Sequence, residues 1–234
     1  MGEQFYLGPY ELGPNETPEN GIYTGDAREL AQAIPDESVD LIFTDPVYQN
    51  IDDNRWLAET AVGVLKPDSA CLAYYGIGFL PEVLQALSSH LRYEWQYINY
   101  MPTLNARGAY KTFSNYRGLV CYHKGRAVPL AAMRDLLVDG FSARNNGHGW
   151  AKNLEVIAYY ITKYVADGIT VDFFTGGGTV PAVCKMLGRR YLAFEIDPAT
   201  AELARERVRM TQPPLPGLTL ETQAALKLME DGNG

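Results

Sequence analysis

Short apolar runs and amphipathic segments alternate along most of the chain. Residues 39–44, 70–75 and 169–174 are short and almost wholly apolar, which is typical of strands buried on both faces of a sheet. Segments with helical composition or spacing separate them. This alternation predicts an α/β fold with a mostly parallel sheet. The remaining predicted strands cover residues 21–25 and 191–196, and the predicted helices cover residues 27–34, 54–65, 80–91, 154–165, 180–187 and 198–209.

Two stretches in the middle of the chain depart from this alternation. Residues 95–100 and 118–122 are rich in aromatic residues and predict a hairpin at the sheet edge. The polar residues 103–116 between them predict a loop over the active face. Further on, residues 129–138 predict one short helix, and residues 139–147, rich in Gly and Asn, predict a loop.

A glycine turn follows the strand predicted at residues 169–174. Glycines at positions 176–178 let a ligand approach the backbone, and Glu195, about 20 residues later, can accept bonds from two ribose hydroxyls. Pro181 stands where a dinucleotide fingerprint needs a small residue, and no Lys follows the glycines as in a P-loop. An adenosine ligand without a pyrophosphate remains, and S-adenosylmethionine is the candidate.

Composition sets the broad class. With 234 residues, 47% hydrophobic and 21% charged, the chain has the composition of a globular protein with one sizeable core. The three cysteines, Cys71, Cys121 and Cys184, lie in apolar segments and are expected to be buried thiols. The sequence has no Cys/His cluster suited to a metal, no membrane span and no secretory signal. We therefore expect a cytoplasmic protein without a metal or a membrane partner.

A family resemblance appears in the first fifth of the chain. Residues 25–30 read Gly-Asp-Ala-Arg-Glu-Leu, residues 35–44 read Pro-Asp-Glu-Ser-Val-Asp-Leu-Ile-Phe-Thr, and residues 45–48 read Asp-Pro-Val-Tyr. These segments resemble the opening of the DNA amino-methyltransferases, which methylate adenine N6 or cytosine N4 and whose hallmark is Asp-Pro-Pro-Tyr. Val47 replaces the second proline. This departure affects loop stiffness rather than the identity of the reacting groups.

The order of the segments along the chain indicates which subgroup of the family the chain resembles. Residues 147–153 are similar to the family's His-Pro-x-x-Lys-Pro segment, with His148 and Lys152 matching and Gly149 and Asn153 in place of prolines. The amino-contact motif comes first, an insert next and the cofactor strand last, which resembles the β group of the family.

The resemblance implies a Rossmann-like, S-adenosylmethionine-dependent methyltransferase fold with a seven-stranded, mostly parallel sheet. The methyltransferase domain would span residues 21–211 with a small recognition insert at about 125–147. Residues 1–20 would be an irregular lead-in and residues 212–234 a tail. The implied catalytic residues are Asp45, Pro46 and Tyr48, and the implied cofactor contacts are Asp26, Ala27, Lys152, Phe174, Thr175, Gly176, Gly178, Thr179, Glu195 and Ile196.

The charge distribution locates a DNA-facing segment. The chain has a net charge of -8, yet residues 107–152 carry eight basic residues against two acidic ones. Phosphates dominate the affinity of proteins for DNA, so this basic strip on an otherwise acidic body predicts contact with double-stranded DNA. A homodimer is left open. The predicted DNA-binding residues are Arg107, Lys111, Arg117 and Arg144.

These observations predict methyl transfer to an amino group of a flipped-out base. Asp45 can accept one amino hydrogen, the Pro46 carbonyl can accept the other, and Tyr48 can stack on the base. The family resemblance implies adenine N6 rather than cytosine N4, because Asp45 occupies the first position of the motif, and it implies a bacterial or phage-infected cell. A catalytically silent, DNA-binding subunit and a methyltransferase for RNA or for a protein glutamine are the alternatives.

Overall fold

The computed structural model describes residues 20–102, 106–107, 112–126, 129–139 and 154–212. The strands within these residues are β1 (Asn20–Thr24), β2 (Val39–Thr44), β3 (Leu65–Tyr75), β4 (Arg92–Tyr100), β5 (Ala106–Arg107), β6 (Phe113–Ser114), β7 (Tyr116–Lys124), β8 (Leu136–Val138), β9 (Ile169–Asp172) and β10 (Arg190–Glu195).

The helices separate most of these strands, as the alternation of the sequence predicts. Short 3-10 turns at Ala31–Ala33 and Ile77–Phe79 adjoin two of them. The α-helices are α1 (Ala27–Leu30), α2 (Ile51–Val64), α3 (Leu80–Leu87), α4 (Leu154–Tyr164), α5 (Thr179–Met186) and α6 (Pro198–Met210).

The main sheet has the strand order β1-β10-β9-β2-β3-β7-β4-β8. Strands β1, β10, β9, β2 and β3 are parallel to one another, whereas β7 runs antiparallel to both β3 and β4. The sheet was predicted to have seven strands, whereas eight strands pair in the described residues. The eighth strand is β8, which pairs in parallel with β4.

Helices cover both faces of the sheet, and each face has its own apolar core. One core joins α1, α2 and α3 to the sheet through buried residues such as Leu30, Leu57 and Leu87. The other joins α4, α5 and α6 through residues such as Tyr160 and Val183. Buried β-strands between two helical layers need apolar residues on both faces, and this explains the continuous apolar runs in the sequence.

The region around β8 corrects one local prediction. Residues 129–138 do not form the predicted short helix, because their last residues, Leu136–Val138, join the sheet. The Ile98 N–H donates to the Asp135 carbonyl at 2.7 Å, and the Asp139 N–H donates to the Tyr100 carbonyl at 2.6 Å. These ladder bonds satisfy backbone groups of β4 that a short surface helix would leave to water.

The predicted hairpin is confirmed in its pairing, although its position in the sheet differs. Strands β4 and β7 pair antiparallel, with Tyr97 opposite Leu119. Because β3 and β8 flank this pair, the hairpin does not lie at the edge. Part of the polar segment 103–116 also pairs, as β5 with β6. Residues 1–19, 140–153 and 213–234, which hold most of the predicted lead-in, part of the insert and most of the tail, lie outside the described residues.

Candidate active site at the carboxyl end of the sheet

Four predicted site segments follow neighbouring parallel strands. Strands β1, β10, β9 and β2 lie side by side, so the residues after each strand emerge at one edge of the sheet. Asp26 follows β1, the glycines follow β9, Ile196 follows β10 and Asp45 follows β2. In open α/β sheets this edge binds ligands. The structure therefore brings Asp26 to the same edge as segments that lie far from it in sequence.

The glycine turn is fastened to Glu195. The Gly176 N–H donates to Glu195 Oε2 at 2.8 Å, and the Asp197 N–H donates to Oε1 at 3.0 Å. Each carboxylate oxygen has a second lone pair with which it can accept another hydrogen bond. The turn thus holds the Glu195 carboxylate in a fixed orientation at the sheet edge.

The backbone of this turn requires glycine at two positions. Gly176 has φ of 51° and Gly178 has φ of 76°, both in the left-handed region. A Cβ on Gly178 would also lie 2.8 Å from the Cα of Ala204 on α6. The turn therefore passes close to α6, and its residues 176 and 177 line the space above the sheet edge.

A buried hydrogen bond joins β2 to β9. The Thr44 hydroxyl donates to Asp172 Oδ1 at 2.8 Å, and both side chains are almost fully buried. The Phe174 N–H donates to Thr44 Oγ1 and to Asp172 Oδ1, each at 3.2 Å. This contact fixes the residue before Asp45 to the strand that leads into the glycine turn. No local pattern predicts it, because the two partners are far apart along the chain.

Asp45 and Tyr48 form the predicted amino-contact loop. Partial burial raises the pKa of Tyr48, and the nearby Asp45 carboxylate raises it further. Tyr48 therefore stays protonated as a donor. Its side chain is 37% exposed and packs on Gly76, where an added Cβ would lie 2.8 Å from the Tyr48 Cβ. Pro46, between the two, is buried.

Both halves of the predicted site open into one cleft of about 760 Å³. Small-molecule sites commonly have volumes of about 300 to 1,000 Å³. The predicted site residues that line it are Asp45, Phe174, Thr175, Gly176 and Thr179, and the lining residues that sequence reasoning missed include Thr44, Tyr74, Leu154, Asp172 and Arg207.

The other predicted cofactor residues are not among those that line the cleft, and Lys152 lies outside the described residues. The Asp26 carboxylate accepts from the Arg28 N–H at 2.8 Å and caps α1, while Ala27 is buried. The Gly25 N–H donates to the Glu195 carbonyl at 2.9 Å, which holds this segment next to Glu195. Ile196 is 68% exposed. His148, like Lys152, lies outside the described residues.

The predicted DNA-binding residues separate into two groups. Arg117 lies on β7 at the active edge, opposite Asn99 of β4. Its charge opposes the rise in the pKa of Tyr48 and Tyr74, which places the guanidinium near the amino-contact loop. Arg107 is described only as part of β5, and Lys111 and Arg144 lie outside the described residues.

Two of the missed residues have a recognisable position in the fold. Tyr74 lies at the carboxyl end of β3, so the rule that ligands bind at strand ends points to it once the parallel order is known. Arg207 projects from α6, and its guanidinium donates to the Thr179 hydroxyl at 2.8 Å. Its sequence context on a charged helix resembles an ordinary solvated face, so only the tertiary structure identifies it.

Neither a metal site nor a membrane-spanning helix occurs in the part of the chain that the structure describes. The His, Cys, Asp and Glu residues there form no group of three that could hold a metal ion. The helices there are too short or too polar to cross a bilayer.

Comparisons with known proteins agree with this geometry. The chain is similar to the Type II methyltransferase M.BamHI of Bacillus amyloliquefaciens, with 26% identity over an alignment of 250 residues. The match covers 80% of this chain and 56% of the relative, so the chain spans little more than half of that protein's length. No family model matches the sequence.

Solved structures share the fold. The cytosine-N4-specific PvuII DNA methyltransferase superposes with a TM-score of 0.71 at 16% identity, covering 91% of this chain and 93% of its own. M1.HpyAVI in complex with S-adenosylmethionine gives a TM-score of 0.68 at 20% identity, covering 81% and 98%. TTHA0409 from Thermus thermophilus, also complexed with S-adenosylmethionine, gives 0.67 at 18% identity, covering 84% and 96%. The chain therefore has a Rossmann-like methyltransferase fold, and the predicted fold class is confirmed.

Proposed function

We propose that this chain is a DNA methyltransferase that transfers a methyl group from S-adenosylmethionine to an exocyclic amino group of a base. The observation that carries the proposal is the shared cleft. Asp45, from the motif that resembles the amino-contact hallmark, lines the same space as the glycine turn that Glu195 holds. Similarity to M.BamHI supports the same function.

The cofactor half of the cleft fits S-adenosylmethionine. The Glu195 carboxylate is oriented by two backbone amides and can accept ribose hydroxyls, and the space beside Gly176 leaves room for a ligand to approach the backbone closely. Phe174, Thr175 and Thr179 would line the remainder of the cofactor site, with Asp26, Ala27 and Ile196 beside it. Lys152 completes the proposed set by its match to the family segment. The bound cofactor supplies an activated methyl group.

The residues of the amino-contact loop act on the target. An exocyclic amino nitrogen is a weak nucleophile because its lone pair is delocalised into the ring. Asp45 and the Pro46 carbonyl each accept one amino hydrogen, which favours a tetrahedral nitrogen whose lone pair points at the methyl group. Tyr48 holds the flipped base by stacking. Catalysis then comes mainly from positioning and from stabilisation of developing charge.

Arg117 contributes positive charge close to this loop, and we propose that it contacts the DNA next to the flipped nucleotide. Arg107, Lys111 and Arg144 are proposed as further phosphate contacts. Each phosphate that such residues neutralise steepens the logarithmic salt dependence of DNA binding by about 0.9. Affinity should therefore fall steeply between low and physiological salt, and a flat dependence would contradict this DNA face.

The proposed target is adenine N6. Asp45 occupies the first position of the motif, where the resemblance favours adenine. Cytosine N4 is the second candidate, and the fold similarity to the cytosine-N4-specific PvuII enzyme favours it. Both bases present an amino group beside a ring nitrogen, so the acceptor pair at residues 45 and 46 suits either one.

The organisation of the whole protein follows from this proposal. Residues 21–211 would form the methyltransferase domain, which contains a target-recognition insert at about 125–147. Residues 1–20 would be a lead-in to this domain, and residues 212–234 a tail. Double-stranded DNA is the proposed partner and the cytoplasm the proposed compartment. Whether two copies assemble is a question for analytical ultracentrifugation with and without DNA.

One experiment tests the activity and the target together. DNA from cells that express the chain is mapped for modified bases and then digested to nucleosides for mass spectrometry, with Asp45→Ala as the matched inactive control. We expect N6-methyladenine in the wild-type sample alone. N4-methyldeoxycytidine among the nucleosides would instead identify cytosine N4 as the target. If the protein is folded and binds DNA but neither methylated nucleoside is found, the chain is a catalytically silent subunit.

A further inference from the structure

We propose that the Tyr74 hydroxyl donates a hydrogen bond to the ring nitrogen next to the target amino group. That nitrogen is N1 of adenine or N3 of cytosine. This inference rests on the proposed function and adds a residue that reads the identity of the target base.

Tyr74 lies beside Asp45 on the same face of the sheet. Strands β2 and β3 pair in parallel with Thr44 opposite Ala73, so the next position brings Asp45 beside Tyr74. Phe43 and Tyr74 belong to the same core, on the side that carries α4. Both Asp45 and Tyr74 line the cleft. A base whose amino group meets Asp45 would therefore present its neighbouring ring edge towards Tyr74.

A buried hydrogen-bond chain holds Tyr74 and orients it. The Tyr160 hydroxyl donates to Asn99 Oδ1 at 2.7 Å, and Asn99 Nδ2 donates to the Tyr74 oxygen at 3.2 Å. Phe43 adds an edge contact, with ring centroids 5.9 Å apart. An amide NH2 group can only donate, so the proton of Tyr74 must point away from Asn99. Tyr74 therefore accepts from Asn99 and can donate only to a different group.

The chemistry of the bases matches a donor at this place. The amino group of adenine or cytosine offers two hydrogens, which Asp45 and Pro46 accept, and the adjacent ring nitrogen offers a lone pair. Guanine and thymine carry an N–H at the corresponding ring position and would oppose a donor. Burial keeps the pKa of Tyr74 well above its ordinary value, so the hydroxyl remains protonated. Asp45 and Tyr74 together would thus match the donor and acceptor pattern of one base edge.

The test uses a deaza analogue of the target base in a duplex that carries the mapped site. Replacing the ring nitrogen by CH (1-deazaadenine or 3-deazacytosine, as the nucleoside analysis directs) keeps the amino group but removes the acceptor. On ordinary DNA, Tyr74→Phe should lower kcat/KM about tenfold, the usual effect of losing one neutral hydrogen bond. On deaza DNA the two enzymes should be equally slow. The altered reactivity of the analogue affects both enzymes and cancels in their ratio.

Controls separate this role from a structural one. Tyr97→Phe removes a hydroxyl that bonds Tyr164 at 2.9 Å in the same core, and it should leave the ratio near one on both substrates. A tenfold ratio for Tyr74→Phe on both substrates would mean that Tyr74 only supports the fold. A ratio of one on both would remove it from the site. Either outcome overturns the inference while leaving the methyltransferase intact, whereas an inactive wild-type chain would overturn the proposed function itself.

A measurement on the wild-type protein covers the case in which Tyr74→Phe does not fold. The target base is placed opposite an abasic site, so that neither the ordinary base nor the analogue loses a Watson–Crick bond on flipping. Duplex affinity in the presence of S-adenosylhomocysteine should then be about tenfold weaker when the target base is the deaza analogue. Equal affinity for the two duplexes would overturn the inference.

Discussion

Four acidic residues, two at each end of the sheet, differ in the partners that they have. At the amino end, Asp40 pairs with Lys66 at 2.7 Å and accepts from the Ile169 N–H at 2.9 Å. Glu37 pairs with Lys124 at 3.0 Å. At the carboxyl end, Glu195 accepts from backbone amides, and Asp172 accepts from the Thr44 hydroxyl.

This difference separates holding the fold from binding a ligand. A carboxylate that is neutralised by a lysine has little charge left to offer, whereas one that is oriented by neutral donors keeps its charge for a ligand. The volumes of the two cavities support this distinction. The cavity beside Asp40 and Asp68 has a volume of about 100 Å³, whereas the cleft at the carboxyl end has a volume of about 760 Å³. The same residue types thus stabilise one end of the sheet and form a site at the other.

The largest expected effect comes from changing the two ends of β2 separately. Asp45→Ala should lower methyl transfer more than about 100-fold, with affinity for S-adenosylmethionine unchanged, because it removes an acceptor for the target amino group. Asp40→Ala should keep methyl transfer per folded molecule and lower the free energy of unfolding by about 1 kcal/mol, since its ion pair is partly exposed. Radiolabel transfer and urea unfolding measure the two properties. Residual turnover above about one per cent in Asp45→Ala would show that another group is the principal acceptor.

A second comparison concerns the two glutamates. Glu195→Ala should weaken binding of S-adenosylmethionine at least about tenfold, or about 1.4 kcal/mol, because a charged acceptor for the ribose is lost. Glu37→Ala removes a carboxylate of the amino end and should leave that affinity within a factor of about two. Isothermal titration calorimetry on both folded variants decides the matter. Equal affinities in the two would remove Glu195 from the cofactor site.

Two glycines after β3 provide a sharper test of the amino-contact loop. A Cβ on Gly76 would meet the Tyr48 side chain at 2.8 Å, whereas a Cβ on Gly78 would meet nothing within 4 Å. Gly76→Ala should therefore displace Tyr48 and lower the methylation rate about five- to tenfold, because small misplacements near the reacting atoms are costly. Gly78→Ala is the matched control and should retain the wild-type rate. If both variants are equally active, the position of Tyr48 does not limit the reaction.

The smallest effect is a pH dependence of stability at the amino end. His123 on β7 is buried, and burial lowers its pKa below the ordinary value of 6.5, despite the opposing effect of Glu94. The unfolded chain therefore binds a proton more readily than the folded chain. The contribution to stability is fully present above pH 6.5 and is lost as the pH falls from there through the folded pKa. Urea unfolding between about pH 5 and pH 8 should show a shallower pH dependence in His123→Gln, and an identical slope would place the titration elsewhere.

Sequence patterns were most informative where a local run of residues carries the structure. The predicted strand at residues 39–44 matches β2 residue for residue, because a buried apolar run ends there at Asp45. We predicted Asp45 and Glu195 as site residues because Asp45 directly follows such a strand and Glu195 ends another. The hydrogen bond between Thr44 and Asp172 joins partners 128 positions apart, so it exists only once the sheet has assembled.

The remaining differences have the same origin. Strand β8 is three residues long and largely exposed, so its apolar spacing cannot distinguish a strand from a helix. Its conformation is set by backbone bonds to β4, which a single sequence does not reveal. Tyr74 was expected only as part of a buried strand, and its position in the cleft depends on Asn99 and Tyr160 from two distant elements.

The pairing of β1 with β10 also bears on how the protein is made. Asn20 pairs with Tyr191, and Arg205 of α6 donates to the Ile22 carbonyl at 2.6 Å, so an early strand to leave the ribosome docks against a late one. At roughly 5 to 20 residues per second, this strand waits on the order of ten seconds or more for its partner. Strands β2 and β3 can pair well before that time. The segment that holds Asp26 therefore reaches its place beside Glu195 last, after β2 and β3 have brought Asp45 and Tyr74 together.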